Sequence, residues 1–76
     1  MNAKRRTLLE SAKKYLDQAE AIVQQAADQE GDSMDNMPEG LQGSDQYDKM
    51  ERALENLESA LEHIENAREC LDEATE

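Results

Sequence analysis

The sequence predicts an all-α protein: an antiparallel two-helix hairpin, coiled-coil-like, that dimerises into a four-helix bundle. Three observations carry that expectation. Apolar residues in each half recur in steps of three and four, as they do along one stripe of an α-helix. A single stretch, residues 31–44, holds all three glycines and the only proline. There is no Trp or Phe and there are two Tyr, so the apolar content is mostly Ala and Leu, which suits helix packing better than a sheet core.

The first helix is expected over residues 3–30. Its stripe is Leu8, Ala12, Tyr15, Ala19, Ile22 and Ala26, flanked by Leu9, Leu16 and Val23. Asn2 can cap the N-terminus, and Gly31 supplies a C-terminal stop. Residues 31–44, "GDSMDNMPEGLQGS", form the connection, with Met34, Met37 and Leu41 tucked over the open end of the helix pair. The second helix is expected over residues 45–75. Tyr47, Met50, Leu54, Leu57, Leu61, Ile64 and Leu71 make its seam, Arg68 interrupts it, and Ala53, Ala60, Ala67 and Ala74 run beside it. Ser44 can cap this helix, and Asp45 and Asp48 suit the positive end of its dipole.

Charge makes the pair antiparallel. Residues 1–14 carry Lys4, Arg5, Arg6, Lys13 and Lys14 against Glu10, and bases at a helix N-terminus oppose its dipole. Residues 62–76 carry six acids against Arg68. An antiparallel hairpin sets the two segments side by side and offsets both problems. The first helix's stripe is too wide for one partner helix to cover, which points to a homodimer or to a monomer covered by another protein.

The chain of 76 residues is expected to form a single domain, too small to be comfortably stable alone. Its net charge of −11 would repel nucleic acid and acidic membranes, so the expected partner is a basic protein. No apolar run is long enough to cross a membrane, and "TLLESAKKYLDQ" lacks the apolar core of a secretion signal. The single Cys70 cannot make an internal disulfide, and a cytoplasmic protein is the simplest reading.

Several sites can be weighed. Counted from Asp28, "DQEGDSMDNMPE" has acids at the first, third, fifth and twelfth positions of a calcium loop. Ser33 stands where that loop needs glycine, Asp35 where it needs an apolar residue, and Pro38 where the exit helix should begin. His63 lacks the Glu-x-x-His spacing of di-iron bundles, because residue 60 is Ala. No phosphate loop or nucleophile with a recognisable base is present. The expectation is therefore no metal, no cofactor and no enzyme activity.

The pronounced feature is an acidic ridge. Asp48, Glu51, Glu55, Glu58, Glu62, Glu65, Glu69, Asp72 and Glu76 follow one another in steps of three and four on one helix face. Lys49, Arg52, Asn56, Ser59, His63, Asn66 and Cys70 occupy the neighbouring face. The ridge makes eight like-charge pairs, which cost roughly 2–4 kcal/mol before salt screening. Its carboxylates fall about every 5 Å along the helix, against a phosphate every ~3.4 Å on one DNA strand. Such a row suits a decoy for a basic, nucleic-acid-binding groove. The plainer alternative is that Glu is a good and soluble helix former.

Residues 35–67 carry a further signal: Asp35, Asn36, Met37, Pro38 and Glu39, then Leu41, Gln42 and Ser44, then Met50 and Glu51 at the start of an acidic helix. In this motif and its basic start the chain resembles a family of small acidic helical proteins of bacterial phages and mobile elements. Met34 stands where that family would have an aromatic, and "SDQYDKM" is less basic than its usual version. The resemblance implies an inhibitor of host defence, such as an anti-CRISPR or anti-restriction protein, acting in the bacterial cytoplasm on a nuclease complex. The rival expectation is a structural or adaptor bundle that recruits a partner through its neutral face and its loop, with Asp35, Asn36, Met37, Glu39 and Leu41 as the loop candidates.

Overall fold

A computed structural model describes residues Met1–Glu76. It contains two helices, α1 (Ala3–Asp35) and α2 (Asp45–Ala74), with a 3-10 turn at Glu39–Leu41 between them and no strands. The helices pack antiparallel along their length into a rod of 59 × 14 × 13 Å.

Both expected N-caps form. Asn2 Oδ1 accepts from the Arg5 N–H at 2.9 Å, and Ser44 Oγ accepts from the Tyr47 N–H at 3.3 Å. Each satisfies one of the amide donors that a helix start leaves without a partner. Helix α2 ends one residue earlier than expected, at Ala74, with Thr75 as its C-cap.

The end of α1 corrects the sequence reading. The helix runs through Gly31 and continues to Asp35. Gly31 keeps a negative φ, so it is an ordinary helical residue here and not a left-handed stop. The actual stop is Asn36, whose N–H donates to the Asp32 carbonyl at 3.0 Å, while the Met37 N–H donates to the Met34 carbonyl at 3.2 Å. Pro38 then bars further helix, because the residue before a proline is pushed toward extended geometry. Extending α1 also brings Met34 onto the buried side, where it is half-buried. The connection shrinks accordingly to residues 36–44. Met37 is half-buried within it, while Leu41 is 53% exposed and is not tucked over the helix ends.

The α2 seam lies where expected. Tyr47, Met50, Leu54, Leu57, Leu61, Ile64 and Leu71 are all half-buried. The α1 seam is rotated by one residue. Leu9, Leu16 and Val23 are half-buried and Ala27 is buried, while Leu8, Tyr15 and Ile22 are 63%, 70% and 67% exposed. The column read as the flank is thus in the core together with Ala12 and Ala19 of the expected stripe, which are half-buried, while the large residues of that stripe and Ala26 face solvent. Adjacent helix residues point about 100° apart, so two neighbouring heptad columns cannot both face one partner helix.

Two ion pairs lock the register. Lys13 Nζ lies 3.1 Å from Asp72 Oδ1, and Arg68 reaches Asp17 Oδ1 at 2.6 Å. Arg68 therefore interrupts the apolar seam to make a bond between the helices. The basic start of α1 lies against the acidic end of α2, as charge predicts: Lys13 also donates to Thr75 Oγ1 at 2.7 Å, and Arg6 donates to the Glu76 carbonyl at 3.3 Å. The Lys13 ammonium is held above its ordinary pKa of 10.5, first by its hydrogen bond to Glu10, which outweighs the lowering effect of desolvation, and then by Asp72.

Candidate functional site

The ridge arises from a simple rule along α2. The seam residues are Tyr47, Met50, Leu54, Leu57, Leu61, Ile64, Arg68, Leu71 and Thr75. The residue after each is Asp48, Glu51, Glu55, Glu58, Glu62, Glu65, Glu69, Asp72 and Glu76 in turn. One step past the seam is about 100° round the helix, so the eight side chains from Asp48 to Asp72 stand together on one flank of α2, and Glu76 lies just past the C-cap, Thr75. All nine are exposed. Of the nine, only Asp72 has an ion-pair partner, Lys13. The repulsion that the row implies is therefore left almost uncompensated within the chain.

The same rule operates on α1. Glu10 follows Leu9, Asp17 follows Leu16, Asp28 follows Ala27 and Asp35 follows Met34. Antiparallel packing brings this flank of α1 to the same side of the hairpin as the ridge. The two flanks border a shallow groove. Toward the termini its walls include Glu20, Glu65, Glu69, Asp72 and Arg68, and toward the connection they include Asp28, Asp32, Asp35 and Glu58. The two bases on this face, Lys13 and Arg68, are both engaged with acids. The site is thus an acidic face built by both helices, broader than the ridge. The contribution of α1 is legible in the sequence only once its seam is placed on Leu9, Leu16 and Val23.

The connection has a different character. The Leu41 N–H donates to the Pro38 carbonyl at 2.8 Å, and Ser44 Oγ donates to the Leu41 carbonyl at 2.6 Å. Gln42 reaches the Met37 carbonyl at 3.4 Å, and Asn36 caps α1. These residues close the turn. Among the loop candidates, Asp35, Asn36, Glu39 and Leu41 are exposed and Met37 is half-buried.

The calcium-like spacing from Asp28 falls on helix up to Asp35, so its acids point outward in sequence and do not wrap round a centre as a calcium loop requires. No three His, Cys, Asp or Glu side chains converge where they could share an ion. His63 and Cys70 are both exposed. Neither helix is long and apolar enough to cross a membrane. No family model, curated protein or solved structure matches the chain.

Proposed function

We propose that the hairpin is a binding protein, not an enzyme, whose acidic face occupies a basic nucleic-acid-binding surface on another protein. The motif around Asp35–Glu39 supports placing it among phage or mobile-element proteins, with a host defence nuclease complex in the bacterial cytoplasm as the target. Its active form in this reading is a homodimer, two hairpins paired in a four-helix bundle. No cofactor has a part in it.

The observation that carries the reading is the sorting of charge. Eight ridge carboxylates are exposed without an ion-pair partner, and seven of them, Asp48 to Glu69, form a row of about 32 Å along α2 at ~1.5 Å per residue. Folding alone favours mixing Lys into such a row, which is equally helical and removes the repulsion. A basic groove evolved to hold a phosphate backbone would find there the charge it binds.

The test is capture from a bacterial lysate by the immobilised chain, followed by elution with duplex DNA. The reading expects a nucleic-acid-binding protein that duplex DNA displaces, and that a Glu55→Gln, Glu58→Gln, Glu62→Gln, Glu65→Gln variant fails to retain. Retention of the same protein by both chains, indifferent to DNA, would contradict it and direct attention to the connection and the neutral face.

A further inference from the structure

The side of the hairpin away from the acidic face is apolar and uncovered. Leu8, Tyr15 and Ile22 precede the seam residues Leu9, Leu16 and Val23, and each is more than 60% exposed. On α2 the residues that precede Leu54, Leu61, Arg68 and Thr75 are Ala53, Ala60, Ala67 and Ala74. Ala53, Ala67 and Ala74 are exposed, and Ala60 is half-buried. Both columns are turned the same way off the seam, which in antiparallel helices puts them on one face. That face sets a column of large side chains beside a column of small ones, each repeating every seven residues.

We infer that a second copy of this chain docks on this face, with its connection at the same end, so that the Leu8, Tyr15 and Ile22 column of each copy seats between the alanines of the other. This deepens the pairing proposed above and stands apart from what the acidic face binds.

Register is the first argument. The Lys13–Asp72 and Asp17–Arg68 pairs place Ala74 level with Ser11, Ala67 with Gln18 and Ala60 with Gln25. A two-fold axis along the bundle keeps those levels. The second copy's Ala74 then falls between Leu8 and Tyr15, its Ala67 between Tyr15 and Ile22, and its Ala60 just past Ile22. Each large side chain meets a gap between small ones, as interdigitating helices require.

Charge is the second argument. The apolar columns are bordered by Ser11, Gln18 and Gln25 on α1, a row that reaches an acid only at Asp32, and by Lys49, Asn56, His63 and Cys70 on α2. For a chain of net charge −11, this is the face on which two copies oppose the fewest carboxylates, with Asp32 and Glu73 only at its ends.

Area is the third. Only Ala27 of the 76 residues is buried. The chain exposes 5763 Å², where a compact monomer of 8.6 kDa exposes about 4,700 Å². The excess of roughly 1,000 Å² matches the ~800 Å² that each partner contributes to a standard stable interface.

The experiment is sedimentation equilibrium of the full chain at micromolar concentration, with circular dichroism on the same samples. The wild type should have the mass of two chains. Ala67→Glu introduces a charge at a position that is exposed in the single hairpin, and it should raise the dimer dissociation constant by at least about a hundredfold. Tyr15→Ala removes one seated side chain while placing the best helix former there, so a rise of about tenfold or more would reflect lost docking and not lost helix propensity. A fully helical wild type with the mass of one chain, or any mass other than two, would overturn the inference. A dimer indifferent to both substitutions would overturn this face as its interface.

Discussion

Lys13 ties together three groups from both ends of the chain, bonding Glu10 on its own helix and Asp72 and Thr75 on the other. Its side chain is 15% exposed although it is charged, because those partners replace the water it loses. The raised pKa gives its contribution a sign. The stabilisation is fully present below the ordinary value of 10.5 and is lost as pH rises through the higher folded value. A melting-temperature series should therefore show a decline that begins above about pH 10.5 in the wild type and is smaller in Lys13→Met. A decline of equal size in both would remove Lys13 from that role. The half-buried Leu16 and Leu57 both lie in the seam, Leu16 one turn from Lys13 and Leu57 nearer the connection, level with Asp28. Leu16→Asp or Leu57→Asp sets an unpaired charge against that seam, and either substitution should abolish the helical circular dichroism signal at 37 °C.

At the level of elements, Gly31 separates two accounts of where α1 ends. It is a helical residue with negative φ, and a methyl group added to it would meet nothing within 4 Å, so it should accept Ala readily. Gly31→Ala should then stabilise the chain by about 0.5–1 kcal/mol, through lower entropy of the unfolded chain and better helix propensity. A loss of stability in thermal or urea unfolding would restore Gly31 as a stop. Glycine after a periodic stretch is a common C-terminal signal, which is why Gly31 reads as a stop in the sequence. Two features outweigh it: Met34 continues the buried side, and Asn36–Pro38 ends the helix. The α2 seam is legible because Leu and Ile stand on it against charged neighbours. The α1 seam is not, because Leu8, Tyr15 and Ile22 are as large and as regular as Leu9, Leu16 and Val23. Periodicity finds a stripe, but it does not say which half of a wide stripe faces the nearer helix. The caps are legible because Asn2 and Ser44 each stand directly before a helix and bond locally. The acidic face is half legible: the ridge shows in the spacing of α2, while the acids of α1 depend on the correct seam.

For the whole molecule the ordering principle is rotational. The seam residue holds the hairpin together, the residue before it is apolar at most heptads, and the residue after it is acidic along nearly all of α2 and much of α1. Charge is thus gathered on one side and apolar surface on the other. If two copies pair through the apolar side, their ridges face outward on opposite sides of the bundle, and each can meet a partner independently. On this reading the ridge is kept for binding at the expense of folding. Replacing Glu55, Glu58, Glu62 and Glu65 by Gln preserves shape and removes five of the eight like-charge contacts in the row. At about 0.2–0.5 kcal/mol each, the fold should gain roughly 1–2.5 kcal/mol at low salt. The most direct measurement is the melting temperature of this quadruple variant together with its dissociation constant for the captured partner, at two salt concentrations. A ridge kept for binding predicts opposite signs: a higher melting temperature, and weaker binding with a flatter salt dependence. A higher melting temperature with unchanged affinity at both salt concentrations would contradict it.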